Sequence, residues 1–232
     1  MSTAVIVQAR MGSRRLPGKS MIKLGDYKVI EWIILRLKLC QKITKIILAT
    51  TKNKDDDILC EIAKKNGIDY FRGPEKDVLK RFLYAGDYFN VQNIVRVCAD
   101  RPFIDPSLID SLVENFFTER VDLLFNHKSD NLNYWPVGFG AEIFKIKILN
   151  EIYNKKISDY YKEHVTLYLY ECGNYKIKSE NSTLEAINYS IAGKFDLDTK
   201  SDLRKLKRIA SSISIYDSYK NIIRIFRQIN EK

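Results

Sequence analysis

Residues 9 to 20 read Ala9-Arg10-Met11-Gly12-Ser13-Arg14-Arg15-Leu16-Pro17-Gly18-Lys19-Ser20, and four of them are cations. The chemistry such a stretch offers is anion binding. Arg and Lys side chains neutralise phosphate charge, Ser13 adds a hydroxyl donor, and Gly12 and Gly18 let backbone amides come close to an anion. A loop of this composition suits a triphosphate. Its end, Gly18-Lys19-Ser20, looks like the end of a Walker A loop, but five residues separate Gly12 from Gly18 where GxxxxGK[ST] has four. Pro17 and the paired arginines are also foreign to that cradle, so a P-loop ATPase is disfavoured. The sequence has no GxGxxG, which argues against a dinucleotide oxidoreductase. Asp100 and Asp198 are the carboxylates of interest. Brought from separate strand ends over a phosphate loop, they would suit a Mg²⁺ ion shared with a triphosphate, because magnesium takes few protein oxygens together with phosphate oxygens and water. By spacing alone Asp198 reads equally well as a helix cap, and Asp196 either assists with metal or is spare.

Ligands of open α/β sheets bind at the carboxyl ends of strands, so such a loop should follow the first strand. Residues 4–9 are a short apolar run of β type directly before it. The chain then alternates: helix 29–39, strand 43–49, helix 55–65, strand 68–71, helix 76–89, strand 93–97, helix 106–117 and strand 121–125. Strands alternating with helices imply βαβ crossovers and an α/β fold with a mainly parallel sheet. Asp100 then lies just beyond a strand end. After Phe125 the rhythm breaks, and residues 126–190, rich in aromatics such as Tyr134, Trp135, Tyr160 and Tyr161, read as an insertion that covers the sheet or meets a second subunit. The alternation resumes at Lys194-Phe195-Asp196-Leu197-Asp198, followed by Thr199 as an N-cap and two amphipathic helices. No linker rich in Gly, Pro or Ser divides the chain, so residues 1–232 are expected to form one domain.

With 232 residues, 45% apolar, the chain can bury a sizeable core. No stretch reaches the roughly 18 apolar residues of a membrane span, and no secretory leader is evident, so a cytoplasmic protein without membrane contact is expected. The formal charge of +10 makes polyanions the first partners to consider. Residues 200–232 hold nine Lys/Arg against three Asp/Glu, but at helical spacing with apolar residues between them, which reads as the wet face of helices. Aromatics are not interleaved there as base-stacking would require, and no nucleic-acid motif is present, so no nucleic-acid partner is expected. The four cysteines are widely spaced and the only histidines are His127 and His164, which supports neither a zinc site nor a disulfide framework. Cys40, Cys60 and Cys98 sit in apolar patterns and read as buried packing residues.

The motif Ala-Arg-x-Gly-Ser-Arg-x-Leu-Pro-Gly-Lys at residues 9–19 resembles the N-terminal signature of the cytidylyltransferases that activate sugars for bacterial surface polysaccharides. These are the spore-coat-polysaccharide type and its relatives, the CMP-sialic acid and CMP-Kdo synthetases. Further matches run along nearly the whole chain. Phe71-Arg72-Gly73 with Asp77 to Phe82 is similar to RG…DVLxRF, and Asp100 to Pro106 to GDxPLIDP. Glu163 to Thr166 is similar to REHVT, and Asp198-Thr199 with Asp202-Leu203 to VDTxxDL. The resemblance implies a Rossmann-like mixed sheet of the GT-A type, CTP as nucleotide, Mg²⁺ as cofactor, a small-molecule acceptor, and a homodimer formed through the inserted segment. It implies that Arg10, Ser13, Arg14 and Lys19 hold the CTP phosphates, with Ala9 and Gly12 in the same loop and Lys19 nearest the reacting phosphorus. Thr50, Thr51 and Arg72 would lie around cytosine and ribose, and Asp100 and Asp198 would bind the metal. The acceptor would meet His164 in the EHVT segment, His127 after the fifth strand, and the stretch Pro136 to Glu142, where Phe139 stands at the Leu position and Gly140 at the Asp position of the family's GLDxEVF.

The expected reaction is attack by an acceptor oxygen on the α-phosphorus of CTP, with pyrophosphate leaving. Arg101, a cation directly after Asp100, departs from the family pattern and is expected to read an anionic acceptor. Two other readings remain: a GT-A glycosyltransferase with its metal on Asp196-Leu197-Asp198, and a non-enzymatic nucleic-acid binder using the basic tail.

Overall fold

The computed structural model describes residues 2–13, 15–128, 135–181 and 193–230. Arg14 and Tyr134, both singled out above, lie outside the described residues, as does part of the 126–190 segment.

The first strand, β1 (Thr3–Gln8), is buried on both faces, which is why its sequence is a continuous apolar run with no alternation. It pairs in parallel with β4 (Lys45–Thr51) on one side and β6 (Asn93–Cys98) on the other. The short strands β2 (Lys23–Leu24) and β3 (Tyr27–Lys28) form a separate antiparallel ribbon beyond the basic loop. On the far side of β4, β5 (Asp69–Gly73) adds a further parallel strand. Next to β6 the direction reverses. The strand β8 (Glu142–Lys145) lies antiparallel between β6 and β7 (Leu123–Phe125), and β9 (Ile177–Ser179) runs parallel to β7 at the edge. The sheet order is β5-β4-β1-β6-β8-β7-β9.

Alternate side chains of β1 serve two cores. Val5 and Val7 face α1 (Val29–Leu37), α2 (Asp57–Lys65), α4 (Pro106–Glu119), α8 (Lys200–Ala210) and α9 (Tyr219–Asn230). Ala4 and Ile6 face α3 (Val78–Tyr88), α5 (Ile146–Asn154) and the covering α6 (Asp159–Glu163) and α7 (Leu167–Glu171) segment. Helix starts carry the expected signals. Asp105 accepts from the Ser107 and Leu108 amides with Pro106 at the first turn of α4, Asp77 accepts from the Lys80 amide, and Thr199 and Asp202 cap α8 reciprocally.

The Rossmann-like α/β architecture agrees with the reading of the sequence; some details differ. The strand expected at 43–49 runs from Lys45 to Thr51, so Thr50 and Thr51 lie inside it. The 23–28 ribbon was not anticipated, because two-residue strands carry no periodicity. The 126–190 segment does more than cover the sheet, since β8 and β9 are built into it. Residues 194–198 make a single bridge, Val137 with Lys194, where a strand was expected.

Candidate active site

The loop after β1 hangs from one peptide. The Met11 carbonyl accepts from both the Ser13 amide at 2.9 Å and the Gly18 amide at 3.0 Å, so the two limbs of the loop close on it. Gly18 has φ of 68°, a left-handed conformation that glycine adopts without strain, and it turns the chain into a short 3₁₀ turn beginning at Lys19. That turn aims the Lys19 ammonium across the carboxyl ends of β1 and β6. Lys19 Nζ lies 2.8 Å from Asp100 Oδ2, 3.1 Å from Asp198 Oδ1 and 3.1 Å from the Leu197 carbonyl. Asp198 receives two more cations, Arg15 at 3.0 Å and Lys194 at 2.7 Å. Burial opposes ionisation of Asp198, but the bonds from Lys194 and Lys19 outweigh it and hold its carboxyl below the usual range.

The cleft so formed has a volume of about 270 Å³ and is lined by Ala9, Arg10, Ser13, Arg15, Lys19 and Asp100, with Gln8 and Cys98 at the strand ends and Glu163 from α6. Cys98 therefore belongs to this wall and is only half-buried. A second hollow of about 470 Å³ adjoins it, sharing Arg10 and Glu163 and extending past Gly12, Glu75, Asp77 and Tyr160. Arg10 sits between Glu75 at 4.0 Å and Glu163 at 3.7 Å. A hollow of similar size to the second lies by the amino ends of β4 and β5, lined by Leu37, Cys40, Thr44 and Asp69, away from the strand ends where the basic loop sits.

Asp100 and Asp198 approach one ammonium from two chain segments, so both can reach a single cation. This donor set fits Mg²⁺, which draws the rest of its coordination from phosphate and water. Among the described residues no three His, Cys, Asp or Glu side chains cluster in a way that would hold a metal unaided.

Other expected site residues are placed differently. Thr50 and Thr51 are fully buried, and both hydroxyls donate to Asp56 Oδ2. Arg72 spends its donors on the Thr51 carbonyl at 2.8 Å, the Asn53 carbonyl at 2.7 Å and Asp57 at 2.5 Å. Phe139 is wholly interior, its ring 4.6 Å from that of Phe195. Glu142 is buried and taken up by Arg96, by Thr166 at 2.8 Å and by Tyr170 at 3.2 Å. Burial would raise the Glu142 carboxyl, but the Arg96 guanidinium, with His127 and Thr166, brings it down to about 2. His127 is pushed down to about 3, first by burial and then by the Arg101 guanidinium, although its Nδ1 lies 3.2 Å from the Ala141 carbonyl. It is a neutral imidazole. His164 is exposed, its ring 5.0 Å from that of Tyr160. Arg101 donates to the Gly140 carbonyl at 3.0 Å and lies beside Asp196, so it braces the 137–140 turn from behind.

Two residues at the site carry no signal in the sequence: Lys194 stands outside every motif, and Asp56 is masked within Asp55-Asp56-Asp57, which reads as an ordinary helix start. Arg15 is one of the four loop cations expected to meet a triphosphate, but its contact with Asp198 is not legible from the loop alone.

A phosphate-directed loop and a convergent carboxylate pair at the carboxyl edge of a Rossmann-like sheet define a nucleotidyltransferase type of site. The chain belongs to the cytidylyltransferase family, whose model matches residues 4–228. It is 32% identical over 211 residues to the spore coat polysaccharide biosynthesis protein SpsF of Bacillus subtilis, covering 88% of this chain and 84% of that protein. It is 37% identical over 169 residues to the uncharacterized protein MJ1063 of Methanocaldococcus jannaschii, covering 73% and 67%. Among solved structures, a cytidylyltransferase from Leptospira borgpetersenii superposes with a TM-score of 0.88 at 29% identity over 100% of this chain and 96% of that one. A CMP:2-keto-3-deoxy-manno-octonic acid synthetase solved with CTP has a TM-score of 0.67 at 13% identity, a likeness of fold, over 91% and 99%. No helix among the described residues is long and apolar enough to cross a membrane.

Proposed function

We propose that this enzyme transfers CMP from CTP to a small anionic acceptor in the cytoplasm, in the service of surface polysaccharide assembly, and that the reaction requires Mg²⁺ and releases pyrophosphate. The observation that carries the reading is the placement of Lys19 between Asp100 and Asp198 at the mouth of the basic loop. With a triphosphate present, Arg10, Ser13, Arg14 and Arg15 have anionic oxygens to bind, and Lys19 exchanges its carboxylates for the phosphate chain. Mg²⁺ held by Asp100 and Asp198 would neutralise charge on the phosphate oxygens. An acceptor oxygen then forms a bond to the α-phosphorus while the bond from that phosphorus to the bridging oxygen breaks, and pyrophosphate carries away the electron pair. Charge develops on non-bridging and leaving oxygens, where the loop cations supply stabilisation. A phosphate or carboxylate acceptor needs no strong general base, which suits a site whose His127 is half-buried and held neutral.

The acceptor is proposed to enter beside the hollow that adjoins the basic loop past Tyr160 and Glu163, with the exposed His164 next in sequence, while the buried 137–142 turn, braced by Arg101, would act on it only from behind. Relatives named for spore coat polysaccharide and for 3-deoxy-manno-octulosonate support a sugar-derived acceptor. Half-exposed aromatics at Tyr84 and Tyr160 support a homodimer formed in part through the 126–190 segment, which light scattering on the purified protein would test. The glycosyltransferase reading is disfavoured by Asp196, whose carboxylate is buried against Arg101, leaving Asp196-Leu197-Asp198 with one acidic side chain on Lys19. The deciding experiment is pyrophosphatase-coupled phosphate release with CTP, UTP, ATP and GTP against a panel of sugar acids and sugar phosphates. Release with CTP alone, dependent on both acceptor and Mg²⁺, is expected; consumption of a nucleotide-sugar in its place would overturn the reading.

A further inference from the structure

Asp56 lies at the start of α2, only 2% exposed, a buried carboxylate beside a loop built for a polyanion. Its charge is unfavourable to a triphosphate, so its presence calls for a geometric reason. Every oxygen is occupied. The Met11 amide donates to Oδ1 at 2.7 Å, and Oδ2 accepts from Thr50 Oγ1 at 3.0 Å, from the Thr51 amide at 3.1 Å and from Thr51 Oγ1. Those bonds outweigh burial and keep the carboxyl below its ordinary value. Met11 is also the residue whose carbonyl, in the next peptide unit, accepts from both limbs of the basic loop. The chain of contacts therefore runs from the end of β4, through Asp56, to the one point that sets where the loop's remaining amides and side chains face.

We propose that Asp56 is a positioning residue for nucleotide binding: by fixing the Met11 amide to the end of β4 it sets the attitude of the 10–19 loop. This rests on the proposed CTP chemistry, but its structural half stands apart from it. Only a carboxylate satisfies all four donors. In Asp56→Asn one oxygen becomes an NH₂ group, which can turn to the threonine hydroxyls but not to the Met11 or Thr51 N–H, so one backbone donor loses its acceptor. In Asp56→Glu the extra methylene has no room in a buried site.

The test is hydrogen exchange followed by mass spectrometry on the nucleotide-free protein, with steady-state kinetics alongside. In Asp56→Asn, amides of residues 10–19 should exchange at least about tenfold faster while those of β1 keep their rates. The KM for CTP should rise about ten- to a hundredfold with the acceptor KM within about twofold, because a loop displaced by an ångström costs on that scale. If Asp56→Asn does not fold, Thr51→Val, which removes one hydroxyl donor and leaves the carboxylate, should raise loop exchange about threefold. Loop exchange unchanged in the variant that folds, or raised equally in β1, overturns the proposal whether or not the wild type turns over CTP. An inactive wild type whose Asp56→Asn variant loosens only the loop sinks the CTP reading and leaves the positioning role standing.

Discussion

Arg101 Nε stands 3.9 Å from Asp196 Oδ1, and among the described residues neither of these buried atoms has a hydrogen-bond partner. The pair is too far apart for a direct bond, and Arg101 is held by its contact with the Gly140 carbonyl. Under the proposed function, Arg101 would act on the acceptor only through the 137–140 turn. Arg101→Ala is expected to raise the acceptor KM about tenfold or more with little change in the KM for CTP. Equal effects on both constants, or on neither, would sink this assignment.

Lys19 neutralises the two carboxylates that would hold a metal. Lys19→Met leaves Asp100 and Asp198 facing each other without that cation, so Mn²⁺ titrated into the nucleotide-free protein and followed by electron paramagnetic resonance should bind at least about tenfold more tightly than in the wild type. Turnover should fall about a thousandfold, since a group aimed at the phosphate chain is gone. Unchanged or weaker Mn²⁺ binding would show that the ammonium does not compete for this seat.

His127 and Glu142 should both contribute to the acid response, His127 alone from pH 6.5 to 4.5 and the two together below that. His127 stays neutral in the fold down to about 3, whereas the unfolded chain takes up its proton from about 6.5. The unfolded state then binds more protons, so stability falls as pH drops from 6.5 toward 3. By pH 5 the loss amounts to about 2 kcal/mol, and His127→Asn should remove it. Glu142 remains ionised in the fold down to about 2 against an ordinary 4.5, so its contribution is complete above 4.5 and is lost as pH falls from there toward 2. Thermal unfolding across pH 3 to 8 reads both; a His127→Asn curve parallel to wild type between 6.5 and 4.5 would refute the first.

Gly140 has no space for a side chain, because a Cβ there would collide with the carbonyl and side-chain oxygens of Asn126. Asn126 is held against this turn by a reciprocal pair, its Oδ1 accepting from the Ala141 amide at 2.9 Å and its own backbone amide donating to the Ala141 carbonyl at 3.0 Å. Gly140→Ala should cost about 3 kcal/mol, measured by urea unfolding, and raise the acceptor KM by displacing the turn that Arg101 holds. A loss under about 1 kcal/mol would mean the turn gives way more easily than its packing indicates.

Much of this is legible in the sequence, and unevenly so. The basic loop declared itself through residue types packed at one strand end, and β1, β4 and β6 through apolar runs that have no other use. Lys19, Asp100 and Asp198 were each identified, although their meeting spans as many as 179 residues of sequence and could not be measured from it. The polar residues that turn inward were not separable from those that face the cleft. Thr50, Thr51, Arg72 and Glu142 look like ligand-binding groups because binding a phosphate and satisfying a buried partner call for the same donors and acceptors. Asp56 shows the converse, a decisive carboxylate hidden in a run of three. The 126–190 segment was opaque because β8 and β9 are only four and three residues long, too short for a period to emerge.

The reversed strand β8 gives two connections of the sheet different tolerances for change. The loop after β1 is confined by a strand on one side and a ribbon and helix on the other, so altering its length would displace α1 from the sheet. The connection from β7 to β8 joins antiparallel neighbours, and both of its ends are fixed by their own ladder, with Leu123 opposite Phe144 and Phe125 opposite Glu142. Doubling the length of such a connection costs only about 0.6 kcal/mol of closure entropy. A change of length between β7 and β8 is therefore absorbed more cheaply than one in the loop after β1.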